Sequence, residues 1–344
     1  MTRALITLDA LAAEGLIADA RDPALVAVAA RYAIAVTPAM RERIATPDDP
    51  IARQFIPSPA ELTTRPEESP DPIGDHPHSP VKGLVHRYPD RVLIKVTHTC
   101  PVYCRFCFRR EMVGPKGDGN LTEAELDTVF AYIAAHPEIA EVIFTGGDPL
   151  MLSVRRIAAL GARLAPISHV RLVRWHSRVP LVAPERITPA LVSALRFPGK
   201  ANYVALHANH VQEFSEKGRT ALARLADAGI ALLGQTVLLR GVNDSPEALI
   251  ALFREMAANR VTPAYLHHPD LAPGTGHFRL TIAEGQAIHA ALRGRLSGHA
   301  IPTYVLDLPG GHGKVPINGN YLRDLPSGEV EIRDPAGIWH RYPG

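Results

Sequence analysis

The feature that most restricts the fold of this chain is a regular alternation of short β-branched runs with helical patterns, beginning at residue 91. The candidate strands occupy 91–97, 141–145, 170–176, 203–207, 230–239, 262–267 and 301–306. Helical patterns separate them at 122–136, 153–164, 188–196, 210–228, 246–258 and 281–296. Such alternation predicts parallel strands joined by helical crossovers. About six units predict an α/β fold, a partial or open TIM-type (β/α)6 barrel, with a doubly wound sheet as the alternative.

Three further segments lie outside this alternation. Residues 4–20 and 24–45 are rich in Ala and Leu at helical spacing, which predicts two helices. Prolines punctuate residues 46–90 and predict an extended, largely irregular segment, either a disordered linker or a wrapping arm. The tail, 322–344, predicts a turn and a short hairpin with 330–332 as one arm. We therefore divide the chain into 1–45, 46–90, 91–280 and 281–344.

Composition excludes several classes of protein. Hydrophobic residues make up 46% of the chain and charged residues 21%, which is typical of a globular protein. A formal net charge of +2 argues against a dedicated nucleic-acid-binding surface. The early sequence shows no signal peptide and no bilayer-spanning apolar run, so we expect a cytoplasmic protein without a membrane partner. Three cysteines in a long chain do not predict a disulfide framework.

All the cysteines lie together directly after the first candidate strand. Cys100, Cys104 and Cys107 have the spacing C-x3-C-x2-C. In a TIM-type fold the loops after the strands carry the chemistry. Three thiolates can hold three irons of a [4Fe–4S] cluster and leave the fourth iron open to a ligand. A zinc site with His98 as its fourth ligand is the alternative.

A second candidate site follows the last predicted strand. The loop 307–316 presents Lys314 among several glycines, which let backbone approach a ligand closely. A Walker-type phosphate loop is excluded, because Leu308 and Val315 occupy positions that need Gly and Ser or Thr. A lysine so presented suits a Schiff base to pyridoxal phosphate. A solvated loop lysine is the alternative.

The cysteine motif, Cys-Pro-Val-Tyr-Cys-Arg-Phe-Cys, resembles the signature of radical S-adenosylmethionine enzymes. The resemblance implies that S-adenosylmethionine binds the open iron and is cleaved reductively to a 5′-deoxyadenosyl radical. Gly146, Gly147 and Asp148, after the second candidate strand, are similar to the Gly-Gly-acid motif of that family. This motif is expected to meet the methionine end of the cofactor. A plain turn between strand and helix is the alternative.

Together with the Lys314 loop, the chain is similar to the lysine 2,3-aminomutase family over about residues 75–321. The matching segments are 79–91, 107–110, 235–244, 276–279 and the Lys314 loop. The resemblance implies an isomerase that uses a [4Fe–4S] cluster, S-adenosylmethionine and pyridoxal phosphate. It would move the 2-amino group of L-lysine to C3 and give β-lysine. The segment 46–90 would then be a wrapping arm whose end enters the site.

The same resemblance implies roles for individual residues. Lys314 would form the Schiff base, and Cys100, Cys104 and Cys107 would hold the cluster. The residues expected to hold pyridoxal phosphate are Arg87, Tyr88 and Arg91. The residues expected to line the S-adenosylmethionine site are His207 and Gln235, for which an ordinary core His and core Gln are the alternatives.

Three further positions would bind the substrate. Arg109 matches the arginine that pairs with the substrate carboxylate. Asp270 and Asp307 match the carboxylates that receive the distal ammonium of lysine. Two carboxylates suit an ammonium, which offers three donors and one charge. Arginine or ornithine could use the same pair, so another basic amino acid stays open as the substrate.

The chain departs from the longer family members, which carry a C-terminal extension with further cysteines for a structural zinc. No zinc is therefore expected, the tetramer of those members is in doubt, and a homodimer stays open. His312 stands where the family usually has glycine. An electron donor such as flavodoxin or ferredoxin is an expected partner. Two alternative functions stay open. The same reaction could supply β-lysine for the modification of elongation factor P, and, more remotely, the chain could be a non-enzymatic metal-binding protein.

Overall fold

The computed structural model describes residues 3–115, 117, 119–326 and 329–343. Its main sheet has nine strands in chain order. They are β1 (Leu84–Tyr88), β2 (Arg91–Thr97), β3 (Glu141–Gly146), β4 (Leu172–Ser177), β5 (Ala201–His207), β6 (Ala231–Val237), β7 (Val261–His267), β8 (Thr303–Leu308) and β9 (Gly313–Pro316). Strands β2 to β8 are parallel, and β1 and β9 pair antiparallel at the two edges. The edges meet where the Lys314 N–H donates to the Tyr88 hydroxyl, so the sheet forms a nearly closed barrel and the predicted α/β class is confirmed.

Short helices precede the sheet, and they correct the predicted N-terminal helices. They are α1 (Leu8–Ala13), α2 (Pro23–Arg31), α3 (Pro38–Arg41) and α4 (Pro50–Phe55). The helix predicted over 4–20 is too long, because the chain turns at Gly15, whose φ is +69°. The helix predicted over 24–45 is split before Pro38, which disfavours a helical conformation at Thr37. In the gap, Val36 pairs with Leu5 in an antiparallel bridge.

A helix joins each successive pair of parallel strands. These helices are α5 (Glu123–Ala135), α6 (Val154–Leu164), α8 (Pro189–Leu195), α9 (Glu216–Asp227), α10 (Pro246–Ala258) and α11 (Ile282–Ala290), with the short α7 (Val179–Val182) after β4. Each crossover helix begins after a Ser or Thr whose side chain accepts a backbone N–H of the first turn. Such caps satisfy N–H groups that have no partner inside the helix. Within the described residues, no helix is both long and apolar enough to cross a bilayer.

The two faces of the parallel strands have different surroundings. On β3, Val142 and Phe144 are fully buried in the main core, whereas Ile143 and Thr145 line the interior of the barrel. This alternation follows from the strand pleat, which points successive side chains to opposite faces. Trp175 of β4 stacks on Phe144 in the core, with ring centroids 4.3 Å apart. The outer face therefore supplies the hydrophobic core, and the inner face can carry polar groups.

The segment 46–90 is more regular than its prolines predict. Besides α4 it contains two 3-10 helices, Pro59–Leu62 and His76–His78, and it ends in β1, which the sequence analysis missed. The segment crosses the loop after β7, where the Ser69 N–H donates to the Leu271 carbonyl at 2.8 Å. The described segment thus has helices and a strand of its own and hydrogen-bonds to a loop of the barrel, and we refer to it as the arm.

Glu61 fastens this arm to the cysteine loop. Its carboxylate is fully buried and accepts hydrogen bonds from Arg105, at 2.5 to 3.1 Å, and from Arg110. Burial alone would raise the pKa of Glu61, but the two guanidinium groups outweigh it and hold the pKa below its usual value. Arg105 also donates to the Ala33 carbonyl at 2.8 Å. One carboxylate thus joins the arm, the N-terminal region and the cysteine loop.

The tail forms a separate antiparallel sheet of three strands. They are β10 (Leu322–Asp324), β11 (Val330–Arg333) and β12 (Trp339–Tyr342). The predicted arm at 330–332 lies in β11, which pairs with a strand on each side, β10 and β12, so the tail has one strand more than a hairpin. Residues 327 and 328 of the predicted tail lie outside the described residues.

We expect Glu61→Gln to destabilise the fold, because it leaves two buried guanidinium groups without their carboxylate. Breaking a buried ion pair in this way costs about 3–5 kcal/mol of unfolding free energy. Chemical denaturation checks this value. Glu14→Gln is a matched control, because Glu14 pairs with Arg41 while its side chain is 45% exposed, and exposed pairs contribute about 0–1 kcal/mol. Equal losses in the two variants would contradict the fastening role.

Candidate active site

One cavity of about 860 Å³ lies inside the barrel and includes the carboxyl ends of the strands and the loops that follow them. A volume of this size suits small-molecule ligands. Every residue that the sequence analysis assigned to a site lines this cavity. They are Arg87, Tyr88, Arg91, Cys100, Cys104, Cys107, Arg109, Gly146, Gly147, Asp148, His207, Gln235, Asp270, Asp307 and Lys314.

The three cysteines sit on the loop that follows β2. All are free thiols, and burial raises the pKa of Cys107 to about 11. Arg178, next to the end of β4, donates from Nη1 to the Cys104 sulfur at 3.1 Å. Binding to a metal displaces such thiol protons. Within the described residues, the thiols and His98 form no single-ion site, whereas a zinc site needs four ligands around one ion. Three separate thiols on one wall fit a cluster in which each cysteine holds its own iron.

The two glycines at the end of β3 are required because the backbone of β2 and of the residues after it approaches closely. A Cβ on Gly146 would lie 2.4 Å from the Thr97 carbonyl oxygen, and a Cβ on Gly147 would lie 2.5 Å from that of Thr99. The N–H groups of Gly147 and Asp148 donate to these same two carbonyl oxygens. The pair therefore holds the start of the cysteine loop against β3, in addition to lining the cavity.

The carboxylate of Asp148 has several protein partners. It accepts hydrogen bonds from the Ser177 hydroxyl at 2.8 and 3.0 Å and from the N–H groups of Arg178 and Leu150 at 2.8 and 3.0 Å. Burial raises the pKa of Asp148, and these hydrogen bonds oppose the rise. Asp148 thus ties the end of β3 to the end of β4 at the cavity wall.

Lys314 lies on the hairpin formed by β8 and β9. Lys314 stands opposite Asp307 in the pairing of the two strands, and the Lys314 ammonium contacts the Asp307 carboxylate. The turn between them has φ values of +79°, +81° and +96° at its three glycines, a region that favours glycine. Arg87 approaches the other Asp307 oxygen to 3.5 Å. The hairpin therefore presents an amine beside one carboxylate and one guanidinium.

Cations and an aromatic ring cover the side of the cavity next to this amine. The Arg91 guanidinium lies 3.8 Å from the centroid of the Tyr88 ring, and the Tyr88 hydroxyl accepts the Lys314 N–H at 2.8 Å. Arg87 donates to the Ile73 carbonyl at 2.8 Å. Two guanidinium groups and a phenol beside an amine suit an anionic carbonyl compound such as pyridoxal phosphate.

Asp270 lies near this hairpin and differs from the other carboxylates of the cavity. Burial, followed by the negative charge of Asp307, raises the pKa of Asp270 to about 7. The charges of Lys314, Arg109 and Arg87 oppose the rise. Within the described residues, Asp270 forms no ion pair, whereas Asp307 pairs with Lys314. Asp148 also lacks an ion pair but accepts several hydrogen bonds, whereas the Asp270 carboxylate has neither an ion pair nor a hydrogen bond among the described residues.

The structure adds site residues that the sequence analysis missed. Asp75 of the arm accepts hydrogen bonds from Arg109, and Arg178 contacts Cys104. His176 and His267 line the cavity beside His207. The histidines stand at the carboxyl ends of their strands, a signal the sequence offered. Asp75 gave no signal, because only the path of the arm brings it to Arg109.

Each of the three histidines that line the cavity has a buried ring nitrogen without a hydrogen-bond partner among the described residues. In the described part of the chain, no group hydrogen-bonds to the Nε2 atoms of His176, His207 and His267, although these atoms are buried. Burial, with the charges of Arg178 and Arg109, lowers the pKa of His207 to about 3, so its imidazole is neutral. His207 is thus not a core histidine with all its hydrogen bonds made. Buried polar atoms without partners favour a bound ligand here.

Two family models match the chain. Residues 94–253 match the model described as Radical SAM superfamily, and residues 289–344 match the model described as Lysine-2,3-aminomutase. The first match includes the cysteine loop and the strands that build the cavity. The protein is therefore a radical SAM enzyme, a class that uses a [4Fe–4S] cluster and S-adenosylmethionine.

Relatives with curated names show which family within this class the chain belongs to. A putative L-lysine 2,3-aminomutase of Aquifex aeolicus is 42% identical over 90% of this chain and 86% of the relative. L-lysine 2,3-aminomutase of Clostridium subterminale is 40% identical over 86% of this chain and 71% of the relative. The Escherichia coli enzyme of the same name is 39% identical over 79% of each chain. The chain belongs to the lysine 2,3-aminomutase family, whose members are isomerases that also use pyridoxal phosphate.

We expect anaerobic reconstitution of the unmutated protein to give an oxygen-sensitive brown chromophore with about four irons per chain. Cys104→Ala should lose most of this iron, because each thiolate holds one corner of the cluster. Iron and sulfide analysis with electron paramagnetic resonance checks this. Ser177→Ala, which removes a neighbouring polar side chain and no thiolate, should keep the iron. About one zinc and no iron in the unmutated protein would contradict the cluster.

Proposed function

We propose that this chain is a lysine 2,3-aminomutase that moves the 2-amino group of L-lysine to C3 and releases β-lysine. The observation that carries the proposal is Asp270, a half-buried carboxylate that lacks an ion pair within the described residues and lies beside Asp307. A second carboxylate next to an already paired one favours a ligand that brings its own positive charge. The distal ammonium of lysine is such a group.

The chain has residues that would hold each cofactor. Cys100, Cys104 and Cys107 would hold the cluster, and Lys314 would bind pyridoxal phosphate covalently. The remaining contacts would come from Arg87, Tyr88 and Arg91 to pyridoxal phosphate, and from Gly146, Gly147, Asp148, His207 and Gln235 to S-adenosylmethionine. When bound, these groups supply a carbon-centred radical and a carrier for the migrating nitrogen. The protein's own residues bind and orient the substrate and exclude water.

Lys314 would change places with the substrate as the counter-ion of Asp307. In the structure its ammonium contacts the Asp307 carboxylate. The ammonium must give up a proton before its nitrogen can bond to a carbonyl cofactor, so its contact with Asp307 would change when the cofactor is bound. The distal ammonium of lysine would then lie between Asp307 and Asp270. This exchange would favour a basic substrate over glutamate, whose distal carboxylate would face two like charges.

Arg109 would hold the other end of the substrate. Its guanidinium is buried, and it keeps N–H groups beyond those used by Asp75 and Thr145. A planar guanidinium pairs well with a carboxylate. Holding lysine at both ends fixes the carbon atoms between them relative to the Lys314 hairpin.

The parts of the chain would divide the work accordingly. Residues 91–280 would form the radical SAM barrel, and residues 281–344 would carry the pyridoxal phosphate lysine. The arm, 46–90, would complete the cofactor site with Arg87 and Tyr88, and 1–45 would support the arm. A small electron-transfer protein such as flavodoxin or ferredoxin would reduce the cluster. Reduced thiols and an oxygen-sensitive cluster suit the cytoplasm.

We expect borohydride to attach pyridoxal phosphate covalently to Lys314 in the holoenzyme, with the site located by peptide mass spectrometry. Lys314→Ala should lose this attachment and β-lysine formation, because no other amine occupies the hairpin, and should keep S-adenosylmethionine binding. Lys82→Ala is the control, since Lys82 pairs with Glu125 on the surface at 2.8 Å. Attachment at Lys82 would contradict the assignment.

The pH dependence of kcat/KM for lysine should follow the ionisation of Asp270. With a pKa of about 7, Asp270 gains its charge as pH rises, so kcat/KM for lysine should rise about tenfold between pH 6 and pH 8. Asp270→Asn should abolish this rise. It should also lower kcat/KM by about one and a half to three and a half orders of magnitude, the cost of a half-compensated ammonium. Faster turnover of glutamate than of lysine by the unmutated enzyme would overturn the proposed function.

A further inference from the structure

The arginine proposed to bind the substrate carboxylate is itself held in place by a carboxylate from the arm. Arg109 donates from Nε and Nη2 to Asp75 Oδ2, at 3.2 and 2.9 Å, and from Nη1 to the Thr145 hydroxyl at 3.2 Å. The Nε–Nη2 edge of the guanidinium is therefore occupied by Asp75. The opposite end, formed by the outer N–H groups of Nη1 and Nη2, is the part that a second carboxylate can use.

Asp75 is rigidly placed. Its side chain is 3% exposed, and its N–H donates to the Asp71 carboxylate at 2.8 Å. Its carbonyl oxygen accepts the Ser79 hydroxyl at 2.8 Å. Burial alone would raise the pKa of Asp75, but Arg109, followed by Lys95 and Arg87, outweighs it and lowers the pKa. Asp75 is therefore a fixed negative charge and not a mobile surface acid.

The backbone next to Asp75 also contacts the glycine turn before Lys314. Gly74 has a φ of +68°, and a Cβ on it would lie 2.4 Å from the Gly311 nitrogen. The neighbouring Ile73 carbonyl accepts a hydrogen bond from Arg87. Residues 71–79, which we name the strap, thus touch Arg109 on one side and the Lys314 hairpin on the other.

We propose that Asp75 is a positioning residue. By holding one edge of Arg109 it directs the other end toward the cavity, and through the strap it fixes the distance between the carboxylate-binding arginine and the Lys314 hairpin. It therefore sets where the substrate's carboxylate, and with it the α-carbon, stands relative to the amine of Lys314. The inference rests on the proposed function for the nature of the ligand of Arg109.

The test compares lysine with 1,5-diaminopentane, which has the same amines and no carboxylate. Binding to the holoenzyme is followed by the change in cofactor absorbance in the absence of reductant, so no radical chemistry is involved. Asp75→Ala should weaken lysine binding about ten- to hundredfold, the range for losing a charge-assisted hydrogen bond at a buried site, and should leave diaminopentane unchanged. Asp75→Asn, which keeps one acceptor, should lie between the alanine variant and the unmutated enzyme.

Controls separate positioning from structure. Asp48→Asn, in the same arm with a side chain that is 90% exposed, should bind both amines normally. Equal weakening of both amines in Asp75→Ala would indicate only structural damage and would overturn the inference. If the alanine variant does not fold, the isosteric Asp75→Asn variant decides the inference. It must then weaken the binding of lysine and leave the binding of diaminopentane unchanged. Iron and pyridoxal phosphate contents should match those of the unmutated enzyme in every variant compared.

Two failures can be told apart. If the unmutated enzyme shows no preference for lysine over diaminopentane, Arg109 does not bind the carboxylate, and the proposed function and this inference both fail. If that preference is present and Asp75→Ala retains it in full, only the inference fails. If Asp75→Asn weakened lysine binding as much as Asp75→Ala, only the charge of Asp75 would matter and not its placement of Arg109. This result would also overturn the inference.

Discussion

The whole site depends on the meeting of the two edge strands of the main sheet. Strand β1 brings Tyr88 from the arm, and β9 brings Lys314 from the far end of the chain. The hydrogen bond from the Lys314 N–H to the Tyr88 hydroxyl joins edges that the backbone pairing of the described strands leaves open. Because seven parallel strands lie between these edges, their position relative to each other is set by the twist of all of them.

Among the charged side chains that line this cavity, Asp270 is a carboxylate with neither an ion pair nor a hydrogen bond within the described residues. Arg109 is used by Asp75, and Lys314 is used by Asp307. Asp270 remains, with a pKa near 7 that reflects burial beside a like charge. An uncompensated carboxylate in a buried site costs stability, and the protein retains it at the position where the proposed substrate brings an ammonium. The same arrangement that destabilises the empty enzyme favours one class of ligand.

Much of the barrel and of the site could be predicted from the sequence, and the arm could not. The parallel strands are continuous β-branched runs, and cysteine and glycine motifs at their carboxyl ends must meet at one edge of the sheet. Strand β1 and the 3-10 helices of the arm have no periodicity of their own, since their order comes from contacts such as Glu61 with Arg105. The N-terminal helices were predicted too long because there the local signal is stronger than the structure supports. Alanine and leucine favour a helix locally, and tertiary bonds such as Leu5 to Val36 override that preference.

The backbone contact between Gly74 and Gly311 has a consequence for how the chain acquires its site. These residues are separated by most of the sequence, and the contact forms only when the last hairpin of the barrel is present. Contacts between distant parts of a chain form late, because a long loop must be closed first. During synthesis the arm can bond to the cysteine loop as soon as that loop is made, but its contact with Gly311 requires the β8–β9 hairpin. The contact that joins the arm to the Lys314 hairpin therefore depends on strands made after the arm, and we expect it to form later than the contacts within the barrel.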